Sequence, residues 1–587
     1  MRVMKKAVTL SSPAARRQRV PFETLCEAFQ HASHAYRERV ALRTPNDARL
    51  WTWGEYGEQV RRLAGGLHGL GLRRGNTLAL LVGNSPEFHM LDSAALHLGA
   101  TPFSVYATSA PEQVAFQLRD GGARIVACDE ASVDVVRASG VVLDHLIVLS
   151  DGTAVLDELA AASDLSDAAF ESSWRAVDAN DVATIVYTSG TTGDPKGVQL
   201  THATALGCAR AVDERISFPD ETCVLSYLPL AHVAERNNSH WFAMCFGFTV
   251  TTCPDPRRVA DVLPDVQPTW FFGVPRVFEK LKASILASAD AQLAEVIERA
   301  RTTDSAAARE PQLEDADALR ALRERIGFGR AVAVNVGAAP AVPEMVEFFH
   351  AIGVPLAELW GMTEINGAGT INPSRHIKIG SVGPPVDGLE VRTAGDGELE
   401  VRSAMLAAGY RNRPDLTAQA MSPDGWFRTG DLASIDDDGY VWIVGRKKEI
   451  MVNAAGKNMS PTNIESNIKS ESFLIGQVMA IGDQRPYNVA LIVLDPEVAR
   501  IRASELDLQG PRLLSKLVED PRVVAECSAA VERGNAKMSR VEQIKRFRLL
   551  DVEWQPGGEE LTPTMKLKRK TIEARYSDTV EQLYASS

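Results

Sequence analysis

The stretch that decides the fold is Tyr187-Thr188-Ser189-Gly190-Thr191-Thr192-Gly193-Asp194-Pro195-Lys196-Gly197. The run 182–187 before it is rich in β-branched residues and predicts a short buried strand. The run 198–202 after it predicts a return strand, with Thr201 suited to cap the next helix. Glycines let backbone N–H groups approach an anion, hydroxyls add donors or a metal ligand, and lysine supplies a point charge. The stretch therefore predicts a phosphate-binding loop.

This loop departs from the common phosphate-loop pattern G-x-x-x-x-G-K-[ST]. That pattern requires glycine at position 195, where Pro195 stands, and Gly197 follows Lys196 instead. A plain polar turn would account for the glycines and hydroxyls singly, but not for their density directly after a buried strand. The sequence favours a different kind of nucleotide loop.

Length, composition and charge narrow the class of protein. A chain of 587 residues exceeds one compact core, so roughly two to four structural units are expected. It is 45% hydrophobic and 24% charged, as expected for a globular protein. The formal net charge of −13 argues against a nucleic-acid partner, because binding to phosphate backbones depends on lysine and arginine. The seven cysteines are scattered without a C-x-x-C pair, which indicates reduced thiols in the cytoplasm.

Residues 1–20 predict a disordered basic arm. The arm has no apolar segment of the kind found in secretory signals, and a weak contact with anionic lipid is the alternative role. No apolar run in the chain reaches the roughly 18–20 residues that span a bilayer. We therefore expect a cytoplasmic protein, with peripheral contact to the inner face of the membrane as the alternative. The basic residues of the arm are Arg2, Lys5, Lys6, Arg16, Arg17 and Arg19.

From Pro21 to about Leu149, predicted strands alternate with predicted helices. Residues 77–82 read as a buried strand, 87–98 as a helix and 125–128 as a further strand. Strands that alternate with helices imply parallel sheets covered on both faces. The sequence thus predicts an α/β fold for this part.

Several later segments place small, polar or charged residues at the ends of predicted strands. The first contains Leu228-Pro229-Leu230-Ala231-His232, and the second contains Gly337-Ala338-Ala339-Pro340. The others are Leu359-Trp360-Gly361-Met362-Thr363-Glu364, Gly425-Trp426-Phe427-Arg428-Thr429-Gly430-Asp431, Gly445-Arg446-Lys447-Lys448-Glu449 and Leu561-Thr562-Pro563-Thr564-Met565-Lys566-Leu567-Lys568-Arg569-Lys570. Each taken alone has a structural explanation, such as an ordinary turn or a solvated basic cluster.

Taken in order with the opening loop, these segments resemble the adenylate-forming (AMP-binding) superfamily of acyl-CoA synthetases, luciferases and peptide-synthetase adenylation domains. Residues 273–280, His232–Arg236 and the Leu-Thr-Pro-Thr ending resemble its long-chain fatty acyl-CoA synthetase branch. In some bacterial long-chain members an aromatic gate stands four positions after the histidine, where this chain has Arg236. The resemblance covers nearly the whole chain after residue 20.

The resemblance implies the fold class and the domains. It implies an α/β protein with a large N-terminal domain, residues 21–445, of parallel and mixed sheets flanked by helices plus a distorted barrel. A small mobile α+β C-terminal domain, residues 446–587, follows. Residues 281–326 are predicted to be a helical insert with a solvated structural role, because they are rich in alanine and charge and contain no glycine.

The resemblance also implies a nucleotide site. Glu364, with Thr191, is expected to hold Mg²⁺, since this cation prefers oxygen ligands completed by substrate phosphates. Trp360 stands where the family has tyrosine and keeps an aromatic ring for adenine, and Asp431 and Arg446 are expected at the ribose. The remaining ATP contacts are expected from Thr188, Ser189, Gly190, Thr191, Thr192, Gly193 and Lys196 at the phosphates, and from Gly337, Ala338, Ala339, Pro340, Glu358, Leu359, Gly361 and Met362 around adenine.

Four residues are implied to be catalytic. Lys566 is the expected catalytic lysine, Thr363 the contact to the α-phosphate, and His232 the neighbour of the substrate carboxylate. Lys448 is the expected hinge, and the loop at Gly456 is expected beside the CoA thiol. Attack of a carboxylate on phosphorus brings two anions together, so a cation is needed but no general base. Lys568, Arg569 and Lys570 are interpreted as a solvated basic helix start.

The predicted reaction is ATP-dependent activation of a fatty acid, favoured to be long-chain, to acyl-AMP and pyrophosphate. Transfer to CoA then gives acyl-CoA and AMP, so the partners are fatty acid, ATP and CoA. One alternative is an acyl-AMP ligase that delivers to a carrier protein, and another is a peptide-synthetase-type adenylation unit. An AMP-sensing module is disfavoured because Glu364, Lys566 and the hinge would then have no role. The sequence predicts neither chain length nor oligomeric state.

Overall fold

We describe the protein from a computed structural model. The described residues are 19–150, 154–163, 165–188, 195–302, 313–374, 376–453, 457–510, 512–562 and 565–585. Residues 1–18 of the predicted basic arm, the tip of the phosphate loop from Ser189 to Asp194, and Gly456 lie outside these residues. The last two residues of the arm are packed on the protein and not disordered, since Arg19 forms an ion pair of 2.7 Å with Asp213 and Val20 is buried.

The strands in the described part of the chain are β1 Val40–Arg43, β2 Leu50–Thr52, β3 Thr77–Leu81, β4 Thr101–Ser104, β5 Ile125–Asp129, β6 His145–Leu149, β7 Val182–Thr188, β8 Lys196–Thr201, β9 Cys223–Ser226, β10 Thr249–Thr252, β11 Trp270–Gly273, β12 Ala333–Val336, β13 Leu356–Trp360, β14 Thr370–Ile371, β15 Leu389–Thr393, β16 Glu398–Ser403, β17 Gly409–Tyr410, β18 Phe427–Ile435, β19 Val441–Arg446, β20 Met451–Val452, β21 Asn458–Met459, β22 Ile475–Ile481, β23 Asn488–Leu494 and β24 Ile544–Leu550.

The helices are α1 Leu25–Ala35, α2 Trp53–Gly69, α3 Pro86–His97, α4 Pro111–Gly121, α5 Val133–Ala138, α6 Ala154–Ala161, α7 Asp167–Arg175, α8 His202–Ile216, α9 Val233–Glu235, α10 Phe242–Phe246, α11 Val259–Val266, α12 Pro275–Ser288, α13 Ala291–Thr302, α14 Leu313–Arg325, α15 Pro343–Ala351, α16 Pro414–Ala420, α17 Pro461–Lys469, α18 Pro496–Glu505, α19 Leu513–Glu519, α20 Pro521–Ala536, α21 Arg569–Arg575 and α22 Ser577–Ala585. A π-helical turn, Arg236–Trp241, joins α9 to α10.

Three sheets with mainly parallel pairing form the larger part of the molecule. Their strand orders are β4-β3-β5-β6, β2-β1-β10-β9 and β11-β12-β13-β14. The first is parallel throughout, whereas the edge strands β2 and β14 of the other two pair antiparallel. Strand β3 is buried at every position, as expected for a strand covered on both faces. The predicted α/β class with parallel and mixed sheets is confirmed.

Two antiparallel sheets complete this part. One has the order β17-β8-β7 and carries the arms of the opening loop. The other, β15-β16-β18-β19, forms a half-barrel where a distorted barrel is predicted. Thr201 caps α8 as predicted, since its side chain accepts a hydrogen bond from the backbone N–H of Thr204.

The C-terminal part is built on the mixed sheet β22-β23-β24. Its strands alternate between two apolar clusters, since side chains of successive strand residues point to opposite faces. Val478 and Ile492 belong to the cluster that includes α17 and α20, whereas Met479 and Leu491 belong to the cluster that includes α21 and α22. Helices therefore cover both faces of a small α+β unit, as predicted.

The predicted helical insert contains α13 and α14, and it also takes in most of α12, which begins earlier, at Pro275. Val296, Ile297, Leu319 and Leu322 from these helices are buried in the same apolar cluster as the strands β11 and β12. The helices are thus amphipathic and packed, rather than wholly solvated. Among the described residues, no helix combines the length and the apolar character that a membrane crossing requires.

Candidate active site

The phosphate side of the site begins at the hairpin of β7 and β8, where Thr188 pairs with Lys196. The Lys196 ammonium lies 4.8 Å from the centre of the Tyr410 ring. The Tyr410 hydroxyl donates a hydrogen bond of 2.8 Å to Oε1 of Glu364. One tyrosine therefore links the lysine of the opening loop to the predicted Mg²⁺ ligand. Ser189, Gly190, Thr191, Thr192 and Gly193 lie outside the described residues.

The loop after β13 presents Thr363 and Glu364 through an unusually tight turn. A Cβ atom at Gly361 would lie 1.4 Å from the carbonyl oxygen of Gly367, so only glycine fits there. Thr363 and Glu364 form a 3₁₀ turn that ends at Asn366, whose φ is 64°. Thr363 is buried, and the carbonyl of Glu364 accepts a hydrogen bond of 2.8 Å from the backbone N–H of Ala407.

Trp360, Asp431 and Arg446 come together from three strands. The indole Nε1–H of Trp360 donates to Oδ2 of Asp431 at 2.9 Å, and Nε of Arg446 lies 2.9 Å from Oδ1. Burial raises the pKa of Asp431, while Arg446 opposes that shift. Both carboxylate oxygens are thus oriented, and each has a further lone pair to accept from a hydroxyl.

The predicted adenine wall follows β12. Gly337 is packed so closely that an added Cβ would lie 2.9 Å from Cδ1 of Leu359. Ala338 has a φ of 66°, and Ala338, Ala339 and Pro340 are exposed, so the wall presents small side chains to solvent. The side chain of Glu358, in β13, is bonded to a neighbouring loop. Its carboxylate accepts a hydrogen bond of 2.7 Å from the backbone N–H of Gly380. Burial raises the pKa of Glu358 to about 7.

Lys566 reaches this site from the C-terminal part. Its backbone N–H donates to Oγ1 of Thr562 at 3.0 Å, within a turn that places Met565 at a φ of 64°. Part of the side chain is accessible to solvent, yet the surrounding protein atoms desolvate its ammonium. This desolvation, and then Arg446, lower the pKa of Lys566, whereas Asp431 and then Glu449 and Glu364 oppose the shift.

His232 lies close enough to Lys566 to respond to its charge. Burial, and then the positive charge of Lys566, lower the pKa of His232 to about 4, so the imidazole is neutral at neutral pH. Its Nδ1 accepts 3.2 Å from the backbone N–H of Ala234, which makes His232 the N-cap of α9. The structure therefore gathers Lys566, His232, Asp431, Arg446 and Glu364 around one cleft. Lys448 lies two residues after Arg446, on an exposed turn after β19.

The interpretation of Arg569 as a solvated residue is wrong. Its guanidinium makes two contacts of 2.6 Å to the carboxylate of Glu465 and lies 3.4 Å from Glu449. The Glu465 side chain is buried, so Arg569 is its charge partner inside the C-terminal part. Lys568 also bonds inward, to the carbonyl of Gly558 at 2.7 Å.

The sequence did not indicate Tyr410 as a site residue. Tyr410 belongs to the two-residue strand β17, which pairs with β8 more than 200 positions earlier in the chain. A single tyrosine after glycine carries no local pattern that predicts such a pairing. In the described part of the chain, no group of three or more histidine, cysteine or acidic residues is arranged to hold a metal.

Similarity to known proteins agrees with this geometry. A family model described as "AMP-binding enzyme" matches residues 29–411, and "AMP-binding enzyme C-terminal domain" matches residues 448–587. The chain belongs to this family of AMP-binding, adenylate-forming enzymes, as the motifs predict.

Among individual proteins, the chain is 44% identical over 453 residues to fadD11 of Mycobacterium tuberculosis, whose name places it with the fatty-acid–CoA ligases. The match covers 74% of this chain and 79% of that protein. The long-chain-fatty-acid–CoA ligase FadD15 of Mycobacterium bovis is 35% identical over 558 residues, with 91% of this chain and 92% of that protein covered. The A domain of the carboxylic acid reductase from Segniliparus rugosus, solved with AMP and a co-purified carboxylic acid, has the same fold. It is 19% identical, with a TM-score of 0.72 and coverage of 98% and 96%.

Proposed function

We propose that the protein is an ATP-dependent fatty acid–CoA ligase that forms an acyl-AMP intermediate. The observation that carries the proposal is the position of Lys566. Its ammonium lies close enough to Arg446, Asp431 and Glu364 to interact electrostatically with each of them. The names of the full-length relatives support fatty acids as the substrate class, and FadD15 supports long chains. The proposed site of action is the cytoplasm or the inner membrane face, where such acids partition.

The first half-reaction joins two anions. A carboxylate oxygen of the acid attacks the α-phosphorus of ATP, the bond from that phosphorus to the bridging oxygen breaks, and pyrophosphate leaves with the electron pair. Lys566 neutralises charge on the α-phosphate, Thr363 supplies a hydroxyl donor, and Asp431 accepts from the ribose hydroxyls. Neutral His232 adds no charge beside the attacking carboxylate.

Glu364 fits a magnesium role. It offers one oxygen-donor carboxylate oriented by Tyr410, and Mg²⁺ is commonly bound by one or two carboxylates together with substrate phosphates. When bound, the ion would offset phosphate charge. Lys196, next to Tyr410, would assist by holding the departing phosphates.

The second half-reaction is proposed to transfer the acyl group to CoA. The thiol sulfur attacks the acyl carbon, the bond from carbon to the AMP oxygen breaks, and the thiol proton is released to solvent. We propose that the C-terminal part turns at Lys448, withdrawing Lys566 and presenting the loop at Gly456. Hinge closure of this kind is a common way for one site to serve two steps.

The test measures both steps separately. Pyrophosphate release is followed with ATP and palmitate, and with octanoate and acetate as matched shorter acids. CoA is then added and the thioester is measured. Release with palmitate followed by palmitoyl-CoA supports the proposal, whereas preference for acetate contradicts the long-chain part. Release without thioester, but with acylation of a holo-carrier protein, would replace CoA by a carrier as the acceptor.

A further inference from the structure

The segment from α9 to α10 carries a run of polar residues that is buried on every side. The run consists of Arg236, Asn237, Asn238, Ser239 and His240, each no more than 5% exposed. It lies in the π-helical turn, a rare conformation with a wider turn than an α-helix, often found at functional sites. Buried polar groups are costly unless they are paired. Oδ1 of Asn237 and Oδ1 of Asn238 have no hydrogen-bond partner among the described residues, so the contacts that the turn does make carry more weight.

One carboxylate holds both ends of the π-helical turn. Asp92, on α3, is fully buried, and its Oδ2 lies 2.8 Å from Nη1 of Arg236, which is 1% exposed. Its Oδ1 accepts 2.9 Å from Nε2 of His240. Burial alone would raise the pKa of Asp92, but Arg236 and then His240 reverse the shift and lower it. Asp92 is therefore a charged clamp on residues four positions apart.

The surroundings fix Arg236 inside the protein. Nη2 donates 3.0 Å to Oγ of Ser104, and the guanidinium lies over the rings of Phe88 and Trp241 at 5.5 and 5.9 Å. On the other side, Nδ1 of His240 lies 2.9 Å from Nδ1 of His89. Arg236 is thus held by a carboxylate, a hydroxyl and two aromatic rings. These contacts do not suit a mobile gate at the position where some bacterial long-chain members have an aromatic residue.

The clamped segment touches two parts of the proposed active site. His232 caps its start and lies near Lys566. Nδ2 of Asn237 donates 2.5 Å to the carbonyl of Asn366, in the turn that directly follows Thr363 and Glu364. A π-helical turn holds one residue more than an α-helical turn. If the segment became α-helical, His232 would rotate by about 100° relative to α10, because an α-helix has 3.6 residues per turn.

We propose that Asp92 is a positioning residue that clamps the π-helical turn through Arg236 and His240, and thereby sets His232 and the Glu364 turn for carboxylate activation. This inference rests on the proposed function. It assigns the buried network to the positioning of the acid side of the site.

The experiment compares variants that unclamp the turn with a matched control. D92N leaves Arg236 unpaired, whereas the double variant D92N/R236Q removes both charges and avoids a buried unpaired ion. R236K keeps the charge and tests rescue. The control is Y56F, which removes buried hydrogen bonds of 2.9 and 2.8 Å to His89 and Ser93 on the same helix but leaves the clamp intact.

Three measurements decide the outcome: kinetic constants of pyrophosphate release, AMP affinity by calorimetry, and hydrogen exchange of the amides in residues 233–241. We expect D92N/R236Q to raise KM for the acid about tenfold or more and to lower AMP affinity much less. The reason is that Trp360 and Asp431, which are expected at adenine and ribose, make no hydrogen bond or ion pair with the clamped residues in the described part of the chain. R236K should recover part of the loss. Exchange in 233–241 should accelerate in D92N/R236Q and stay unchanged in Y56F.

The proposal is overturned if folded D92N/R236Q keeps the acid KM of the wild type, or if Y56F shifts it equally. A fall in AMP affinity as large as the rise in acid KM would also overturn it, since that pattern reports general destabilisation. If the wild type activates no acid at all, the proposed function fails. Hydrogen exchange alone then decides whether Asp92 clamps the turn.

Discussion

At the scale of residues, opposing electrostatic effects act on the pKa of Lys566. Desolvation and Arg446 disfavour its charged form, and Asp431, Glu449 and Glu364 favour it. These acids favour the ammonium form of Lys566, and the negative charge of a bound triphosphate would favour it further. Lys566 is therefore suited to act as a cation that enters the cleft for adenylation and leaves it afterwards.

Replacement of Lys566 by alanine should separate the two half-reactions. We expect acyl-AMP formation to fall at least about 100-fold, because a cation at the reacting phosphate is lost. Thioester formation from supplied acyl-AMP and CoA should stay within about threefold of the wild type. Lys570→Ala is the matched control, since this exposed lysine lies four positions away in the same motif. Equal loss in both steps would contradict separate roles for two domain orientations.

The same lysine predicts a pH dependence. Because its folded-state pKa is lowered from 10.5, adenylation should lose activity on the alkaline side at a pH below that value. Glu449→Gln removes a negative neighbour that favours the ammonium, so the alkaline limb should move to still lower pH. The measurement is kcat/KM of pyrophosphate release against pH. An upward shift in Glu449→Gln would show that another group sets the limb.

At the scale of elements, the loop after β13 depends on a single close backbone contact. The tight turn forces the Gly361 backbone against Gly367, and this contact sets where Thr363 and Glu364 begin. A side chain at Gly361 must therefore displace the turn that carries the predicted metal ligand.

Gly361→Ala should destabilise the protein by about 3 kcal/mol or more, because an overpacked backbone contact cannot relax by side-chain rotation. Gly395→Ala is the control, since an added Cβ there meets nothing within 4 Å. Denaturant unfolding gives the stability, and pyrophosphate release gives the activity. A Gly361→Ala protein with wild-type stability and activity would mean that the turn adjusts freely.

Local elements of this fold were predictable, and contacts between distant segments were not. The strand β3 lies within the predicted strand 77–82, and Thr201 caps α8, because both depend on neighbouring residues. Tyr410 and Arg569 were missed or misread, because their partners Glu364 and Glu465 lie 46 and 104 positions away. The π-helical turn is also contacted by Asp92, which is distant in sequence and gives no periodic signal.

For the candidate site too, the residues were predictable from local motifs, whereas their arrangement in space was not. Segment order and residue type identified Glu364, Asp431, Arg446 and Lys566 from sequence, since each belongs to a recognisable motif. Their mutual placement required the fold, because Lys566 comes from the C-terminal part and Glu364 from the parallel sheets. The roles assigned to them remain predictions.

At the scale of the whole molecule, ion pairs join the larger part to the C-terminal part. Arg276, at the start of α12, lies 2.7 Å from Asp495, and Lys280 lies 3.1 Å from Glu497. Lys537 lies 3.0 Å from Glu344 on α15. The first pair is the most buried of these three, with side chains 23% and 14% exposed, so salt screens it least. We expect these pairs to favour the arrangement in which Lys566 faces the cleft.

Arg276→Ala should slow adenylation about threefold to tenfold and leave thioester formation unchanged or faster, since only one orientation loses a contact. Its effect should combine non-additively with Asp495→Ala in a double-mutant cycle. Arg124→Ala, which removes an exposed pair with Asp144 within the larger part, is the control. If both half-reactions slow equally, the pair contributes to general stability and not to orientation.

The seven cysteines can report when the protein opens, because a buried thiol reacts with a labelling reagent only after it becomes exposed. All are free and buried in the structure, and burial raises the pKa of Cys128 to about 11 and of Cys208 to about 12. The thiolate is the nucleophile that attacks alkylating reagents, so buried thiols with a raised pKa should be labelled slowly in the folded enzyme. Cys527 lies in the C-terminal part and the other six in the larger part, so mass spectrometry of labelled peptides would time the two parts separately as each one opens.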